Sequence, residues 1–354
     1  MAVQSADIQD LVTTTLRELG RGQWTDNSSA YRDTIATKLL LRKGKTKMLD
    51  DGYEIQFNRM TGLSNSARFV GLYAPDIIDV TNQMGTGTVP WRHATWNFAH
   101  DFRELLMNRK PSQIVELIRT RRIAAIGSMI ELFEGALWRC PALTNDTDIF
   151  GIPYWIVKSN TAATIANNDG FNGLAGATHT TVAGINPTTD TRWRNYATQY
   201  TVVSKDDFVR KARRMAKYTN FKPLVENTPT YGTGEKTEYY TNYAVEGTLV
   251  EILESQNENL GMDIAPYENK VMFMRTPVTN VQELDNDTTN PFYQVAWDVF
   301  GVRGLSGAWM KESSNEKVAG QHTVSATYGD TSLNTICVDR RRCGILSTDV
   351  TMPA

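Results

Sequence analysis

The sequence predicts an α+β fold built around one long helix. Three observations lead to this prediction. Apolar residues recur at helical spacing through 108–138. Short segments elsewhere, such as 53–58, alternate apolar and polar residues with the period of two that marks a strand. Residues 158–191 are rich in Asn, Thr, Gly and Ala, which is typical of loops.

The long helix has clear start and stop signals. Pro111 suits the first helical position, where its missing N–H costs nothing, and Asn108 or Ser112 can supply the capping oxygen. The Cys140-Pro141 pair ends the helix, because proline restricts the residue before it to extended geometry. The apolar residues form two adjoining rows, so we expect a broad stripe with two covered faces. These residues are Ile114, Leu117, Ile118, Ala125, Ile126, Met129, Ile130, Phe133 and Leu137.

The N-terminal region predicts a short helix followed by an arm. Ser5 can cap a helix with one apolar face that ends near Gly20. Residues 21–45 mix polar and apolar groups without a long period. We therefore expect 21–45 to be an extended arm that lies over a neighbouring molecule.

The next region predicts an extended hairpin. Residues 53–58 form one strand and residues 91–102 offer the return strand. The polar, glycine-bearing segment between them, which includes 84–90, is expected to be a mobile tip. A two-stranded ribbon alone is barely stable in water, so this hairpin must lie on its own body or on another copy of the chain.

The remainder of the chain predicts two further helices and several strands. The helices are expected at 206–218 and 243–259, each with apolar residues on one side. Strands are expected at 271–275, at 293–299 and within 322–346.

Composition excludes several classes of protein. The 354 residues include 37 Lys and Arg against 39 Asp and Glu, a net charge of −2, whereas a protein that condenses nucleic acid carries a large positive excess. No apolar run of about 18 residues could span a bilayer, and the N-terminus lacks the layout of a secretion signal. We expect a protein made and kept in a cytoplasm, with no membrane partner. Its 3 cysteines are too few for a disulfide framework or a four-cysteine metal site.

No catalytic motif is complete. The 4 histidines are scattered and lack zinc-site spacing, and residues 41–46 resemble a phosphate-binding loop except that the first glycine of the motif is absent. Acidic neighbours such as Asp206 and Asp207 are typical of turns and caps, although a catalytic pair stays open. We therefore predict no catalytic, cofactor-binding or metal-binding residues, and a protein that is not an enzyme.

Three basic clusters, at 119–122, 210–217 and 340–342, are the remaining candidates for contact with a partner. Charge runs usually form a solvated face or inter-subunit salt bridges, and weak contact with phosphates is the alternative. With a net charge of −2, the clusters cannot form a strongly DNA-binding surface. The candidate inter-subunit or DNA-facing residues are Arg119, Arg122, Arg210, Arg213, Arg340 and Arg341.

The order of these features resembles the major capsid proteins of tailed bacteriophages, which have the Hong Kong 97-type fold. The return strand runs directly into the long helix, followed by IFGIPYWI at 149–156 and GINPTTDTRWRN at 184–195. The last segment is similar to a glycine then Trp-Arg-Asn segment that many such proteins carry. The resemblance covers most of the chain, and the order of the motifs is more specific than any one of them.

The resemblance implies a domain layout. Residues 1–43 would be the N-terminal arm and 44–107 the extended loop. Residues 108–165 and 290–354 would form the peripheral domain around the long helix. Residues 166–289 would form the axial domain, which faces the symmetry axes of hexamers and pentamers.

The resemblance also implies partners and a location. The chain would assemble with itself, with a scaffolding protein and a portal, with a decoration protein as a further candidate. It would enclose double-stranded DNA in a virion assembled in the host bacterial cytoplasm. Residues 51–100 contain no lysine, so we expect no covalent cross-link from this loop. We expect a separately encoded scaffold and no N-terminal cleavage.

Two alternatives stay open at this point. An encapsulin-like nanocompartment shell has the same shape but would hold an enzyme cargo. A loop-rich carbohydrate-binding protein or hydrolase could use the 8 tryptophans as sugar platforms and would be monomeric.

Overall fold

A computed structural model gives the fold, and it describes residues 46–63, 67–73, 82–107, 111–158, 170–176, 178–220, 236–256 and 271–349. The helix expected near residues 5–20 and the arm expected at 21–45 lie outside the described residues. The structure contains the mixture of helices and strands that the sequence predicts. Its strands form a six-stranded sheet, a seven-stranded sheet and a separate hairpin.

The predicted long helix is present as α2 (Pro111–Leu137), with Pro111 at its first position and a short helix, α1 (Phe102–Met107), before it. Its described C-terminal part contributes Met129 and Phe133 to the main apolar core. Of the predicted apolar stripe, Met129, Phe133 and Leu137 are buried, whereas Ile126 is half-buried. Leu132, which lies outside the predicted stripe, is 59% exposed. Part of the apolar surface of α2 therefore faces outward.

The six-stranded sheet surrounds the long strand β14 (Val324–Cys337). The strand β4 (Arg92–Asp101) pairs with one side of β14 over ten residues, without a register shift. The other side of β14 pairs with three strands, and β1 pairs in parallel with the first of these. These four strands are β11 (Phe300–Leu305), β12 (Lys311–Glu312), β13 (Glu316–Lys317) and β1 (Thr46–Leu49).

The seven-stranded sheet is mixed, and its strand order is β5-β6-β15-β10-β7-β9-β8. Its strands are β5 (Gly170–Gly173), β6 (Asn195–Gln199), β7 (Thr237–Thr241), β8 (Met272–Phe273), β9 (Thr276–Asn280), β10 (Phe292–Ala296) and β15 (Gly344–Ser347). Adjacent residues on one strand point to opposite faces, so Phe292 and Tyr293 belong to different cores.

Helices cover the two faces of this sheet differently. The predicted second and third helices are present as α4 (Arg210–Thr219) and α5 (Tyr243–Gln256), and both pack on the Phe292 face. A π-helical turn at Lys205–Val209 leads into α4. The Tyr293 face packs against the end of α2 and a short helix, α3 (Ile152–Trp155). Short 3₁₀ turns at Gln282–Asn286, Ser306–Ala308 and Arg340–Arg342 complete the described helices.

The extended hairpin is present, but its return strand differs from the prediction. The strand β2 (Glu54–Met60) pairs with β3 (Met84–Pro90), the segment that was expected to be a mobile tip. The expected return strand, 91–102, instead pairs with β14 as β4. The glycines of β3 suggested a loop, yet Gly87 is required in the strand, because a Cβ there would overlap the ring of Phe57.

Both sheets contain strands from either side of the expected domain boundaries. The proposed extended loop, 44–107, includes β1 and β4, which belong to the six-stranded sheet. The boundary at residue 290 separates β10 and β15 from the seven-stranded sheet to which they belong. These pairings depend on segments far apart in sequence, so boundaries drawn along the chain could not show them.

We predict that Gly127→Ala stabilises the dissociated subunit by about 0.5–1 kcal/mol, because alanine has the higher helix propensity. Gly127 lies within α2, and a Cβ there would meet no atom within 4 Å. Urea unfolding at low protein concentration measures this change. Gly151→Ala is the matched control and should destabilise the subunit, since its Cβ would overlap the backbone oxygen of Arg139. Equal effects of the two substitutions would contradict the packing described here.

Candidate assembly surface

The root of the hairpin is fixed to the body of the same chain. Ile55, Phe57 and Val89 are buried in the main core. The Phe57 ring lies 5.8 Å from that of Trp193, and the Thr88 N–H donates to the oxygen of Ala183 at 3.1 Å. These contacts orient the hairpin as it leaves the body.

An ion pair extends this attachment. The guanidinium of Arg59 binds the Asp190 carboxylate and lies 4.8 Å from the centre of the Trp193 ring. The two charged side chains are 10% and 19% exposed, so solvent screens the pair less than it screens a surface salt bridge. The loop 184–195, which the sequence singled out for its Trp-Arg-Asn segment, therefore supports the hairpin.

Beyond this attachment, the described part of the hairpin exposes several large apolar side chains. Phe69, Leu72 and Tyr73 are 107%, 93% and 101% exposed. Exposed apolar surface of this kind usually marks an interaction site when it is contiguous. We call this group the hairpin tip; its members are Met60, Leu63, Phe69, Val70, Leu72, Tyr73 and Met84.

Among the basic candidates, Arg210 and Arg213 lie on the outer face of α4. Arg213 is exposed, and Arg210 is 74% exposed with an ion pair to Asp206 one turn earlier. Their neighbour Arg214 stacks at 5.4 Å over Tyr218. The buried side of α4, which includes Met215, packs on the sheet. The structure therefore presents a basic helix face to solvent.

The candidates on α2 have different surroundings. Arg119 is exposed, whereas Arg122 forms an ion pair with Glu312 at 2.9 Å. Between them in sequence, Arg121 is held by both oxygens of Glu104 and donates to the oxygen of Ala99 at 3.0 Å. The hydrogen bond from Arg121 therefore occupies one backbone oxygen on the outer edge of β4.

Arg340 was wrongly predicted to face DNA or a neighbouring subunit. It is fully buried, and its guanidinium donates to the oxygens of Trp155, Trp193 and Leu174 at 2.7–2.8 Å. A further bond joins it to Asn195 Oδ1 at 3.0 Å. Burial lowers the pKa of Arg340 to about 10. The residue is a polar hub inside the fold.

The next arginine in the sequence remains at the surface. Arg341 is half-buried, and its guanidinium lies 5.5 Å from the centre of the Phe171 ring. Asp339 caps the short turn that carries both arginines by accepting a bond from the Arg341 N–H. Consecutive residues in this turn therefore point in different directions, which the RRR run in the sequence could not reveal.

Sequence reasoning missed a second buried charge. Lys158 is fully buried, and its ammonium donates to Asp287 at 2.7 Å and to the Thr289 hydroxyl. Burial lowers the pKa of Lys158, while the hydrogen bond and charge of Asp287 act in the opposite direction. The partners are about 130 residues apart, so no local pattern marked them.

The described residues lack a metal-binding cluster and bury most of their tryptophans. They contain no group of three or more His, Cys, Asp or Glu side chains that could hold a metal ion. No helix within the described ranges is long and apolar enough to cross a bilayer. Five tryptophans are buried, which contradicts their proposed use as sugar platforms. These are Trp96, Trp138, Trp155, Trp193 and Trp297.

No protein-family model and no curated protein matches this sequence. Solved structures do match over nearly the whole chain. The capsid of cyanophage A-1(L) is 14% identical, with a TM-score of 0.61, and the match covers 96% of this chain and 99% of the other. The capsid of the native GTA particle is 10% identical, with a TM-score of 0.56 and coverages of 95% and 97%.

A third match points to the same fold. The capsid of Myoviridae phage XM1 is 10% identical, with a TM-score of 0.52, and the match covers 93% of this chain and 95% of the other. The likeness extends over almost the full length of each partner, as a shared architecture requires. The chain therefore has the fold of tailed-phage capsid proteins, the Hong Kong 97-type fold that its sequence resembles.

We predict that Arg340→Met lowers the free energy of unfolding by about 3–5 kcal/mol. The substitution leaves several buried oxygens without a donor, and each lost bond to a charged group is worth about 1.5–3 kcal/mol. Arg341→Met is the matched control and should cost about 1 kcal/mol or less, because its stacking contact is partly exposed. Denaturant unfolding of both variants measures the difference, and similar losses would argue against the hub.

We predict that Asp190→Asn loosens the hairpin while the rest of the subunit stays folded. The substitution removes the charge that holds Arg59 and leaves a partly buried guanidinium without its counter-ion. Hydrogen exchange in β2 and β3 should accelerate at least about tenfold, while exchange in β10 should not change. Asp206→Asn, in an ion pair with both side chains exposed, is the control and should leave the hairpin unaffected.

Proposed function

We propose that this chain is the major capsid protein of a tailed bacteriophage. Copies of it assemble as hexamers and pentamers into an icosahedral head that encloses double-stranded DNA. The role is structural and not enzymatic. Its place is the virion, after assembly in the cytoplasm of the host bacterium.

The observation that carries this proposal is the hairpin tip on a capsid-type fold. The root of the hairpin is buried in its own chain, yet Phe69, Leu72 and Tyr73 are almost wholly exposed in a single subunit. Covering apolar surface contributes about 25 cal/mol per Å². A neighbouring subunit can supply that cover, so the tip has a physical reason to bind another copy.

Closed assembly explains how modest contacts can hold a shell. A head-to-tail contact generates a ring when its rotation closes, and each closure makes the remaining contacts intramolecular. The effective concentration at those contacts then rises steeply, so no single interface has to be strong. A hairpin that reaches away from the body is suited to such contacts.

Further partners follow from the same proposal. A scaffolding protein would guide assembly, a portal would occupy one vertex, and a decoration protein is a further candidate for the outer surface.

Contact with the enclosed DNA is expected to be weak. The exposed arginines Arg119, Arg213 and Arg210 are the candidates for such contact or for contact between subunits, together with the half-buried Arg341 and the paired Arg122. A net charge of −2 limits the counter-ion release that drives strong DNA binding. A wall that released DNA easily would also permit packaging and ejection.

Electron microscopy of the purified chain, expressed with and without its candidate scaffold, tests the proposal. Closed shells of uniform size are the expected result, and nuclease-protected double-stranded DNA is expected in particles from infected cells. Monomers under every condition would refute it. Shells that reproducibly contain an enzyme and lack DNA would favour a nanocompartment instead.

We predict that the double substitution Phe69→Asp and Leu72→Asp prevents shell formation without unfolding the subunit. Both side chains are exposed, so their replacement should leave thermal unfolding of the subunit unchanged within about 2 °C. Burial of two charges at the interface should raise the critical concentration for assembly more than about tenfold. Light scattering across a concentration series measures it.

The matched control is Phe69→Leu with Leu72→Met, which keeps the tip apolar and should assemble like the unmodified chain. Normal shells from the aspartate variant would show that the hairpin tip does not hold subunits together.

A further inference from the structure

The outer edge of β4 is a second unsatisfied surface. In an antiparallel ladder, facing residues alternate between pairs that exchange both backbone hydrogen bonds and pairs that exchange none. The Phe102 N–H donates to the oxygen of Thr323 at 2.9 Å, in the same register that pairs Asp101 with Val324. The even-numbered residues of β4 therefore direct their N–H and C=O groups toward β14. The odd-numbered residues direct theirs away from it.

An independent contact confirms this assignment. The oxygen of Ala99, an odd-numbered residue, accepts a hydrogen bond from Arg121, which lies outside the sheet. On the hairpin side of Ala99, the outward groups belong to His93, Thr95 and Asn97, whose side chains are exposed. Among the described residues, their backbone N–H and C=O groups have no hydrogen-bond partner. We call these three residues the β4 edge.

The β4 edge lacks the features that usually prevent edge strands from pairing. Natural sheets protect such edges with short strands, lysine, proline or bulges. The strand β4 is ten residues long, contains neither lysine nor proline, and pairs with β14 without a register shift. Arg121 closes the end near Ala99. Among the described residues, no strand pairs with the edge beyond it.

We propose that the β4 edge pairs with an extended segment of a second copy of this chain, which adds a strand to the six-stranded sheet. Added strands are a common mode of recognition, in which backbone hydrogen bonds supply much of the affinity. Only Trp91 separates β4 from β3, so the edge lies at the root of the hairpin whose tip we assign to subunit contacts. This inference rests on the proposed assembly.

The chain also carries a suitable partner for this edge. The Thr61 N–H donates to the oxygen of Gln83. In this register, the odd-numbered residues of β2 direct their backbone N–H and C=O groups toward β3. Gln56 and Asn58 therefore direct their backbone groups away from the hairpin, and their side chains are exposed. We assign the outer edge of β2 to the β4 edge of the next copy. Each subunit then supplies one edge and receives one, as a head-to-tail contact requires.

Hydrogen exchange with residue-level fragmentation tests this contact in dissociated subunits and in assembled shells. The amides of Thr95 and Asn97 should exchange rapidly in subunits and at least about 100-fold more slowly in shells. The amides of Trp96 and Phe98, which bond to β14, should be protected in both states. Rapid exchange of Thr95 and Asn97 in intact shells would overturn the inference.

We predict that Thr95→Pro gives folded subunits with at least about tenfold lower shell yield. Proline at an outward-facing edge position removes no hydrogen bond inside the subunit but blocks an added strand. Thr95→Ser keeps the N–H and is the matched control. Asn97→Lys provides a second test that does not depend on the backbone geometry of proline, because a charged side chain discourages edge pairing.

The two proposals fail in different ways. If the unmodified chain forms no shells, the proposed function is wrong. If shells form, and both the Thr95→Pro and Asn97→Lys variants assemble in normal yield, the capsid function stands and the pairing at the β4 edge is wrong.

Discussion

The pairing of β14 on both of its sides is the interaction on which the rest of the structure depends. One side holds β4 for ten residues, and β4 is continuous with the hairpin before it and with α1 and α2 after it. The other side holds β11, β12 and β13, and β1 follows on β11. A strand paired on both sides is held by backbone hydrogen bonds to each neighbour, so it fixes the direction of the hairpin relative to the long helix. The position of the hairpin tip therefore depends on how β4 pairs with β14.

Buried charged side chains also fix the positions of distant segments relative to one another. Arg340 follows the end of β14, and it binds carbonyl oxygens from α3 and from the segment between β5 and β6. Lys158 joins the segment after α3 to the one before β10. Each charge is costly to bury, so the bonds are specific: other arrangements of these segments would leave a charge or a carbonyl unpaired. The body of the subunit is thereby held in one arrangement before any neighbour is present.

The sequence predicted elements more reliably than the contacts between them. The long helix, α4, α5 and the strand at 53–58 follow from periodicity and capping, which are local signals. The return strand of the hairpin was misassigned because 91–102 has the stronger strand pattern, whereas Gly85 and Gly87 make the true partner resemble a loop. The burial of Arg340 depends on carbonyls up to 185 residues away, which no local pattern encodes. The existence of the hairpin could be predicted, whereas the side chains exposed at its tip could not.

The subunit has a packed interior but exposes apolar side chains and an unpaired strand edge, and this difference affects how assembly can proceed. The described body buries two apolar clusters and pairs Arg340 and Lys158 internally, which favours folding of the single subunit. The hairpin tip and the β4 edge remain open, and both features favour uncontrolled association when they are left uncovered. Identical subunits at high concentration could then join in wrong orientations faster than they close a shell. A protein that covers these surfaces until the correct neighbours arrive would suppress that outcome, and this is a physical reason to expect a scaffold.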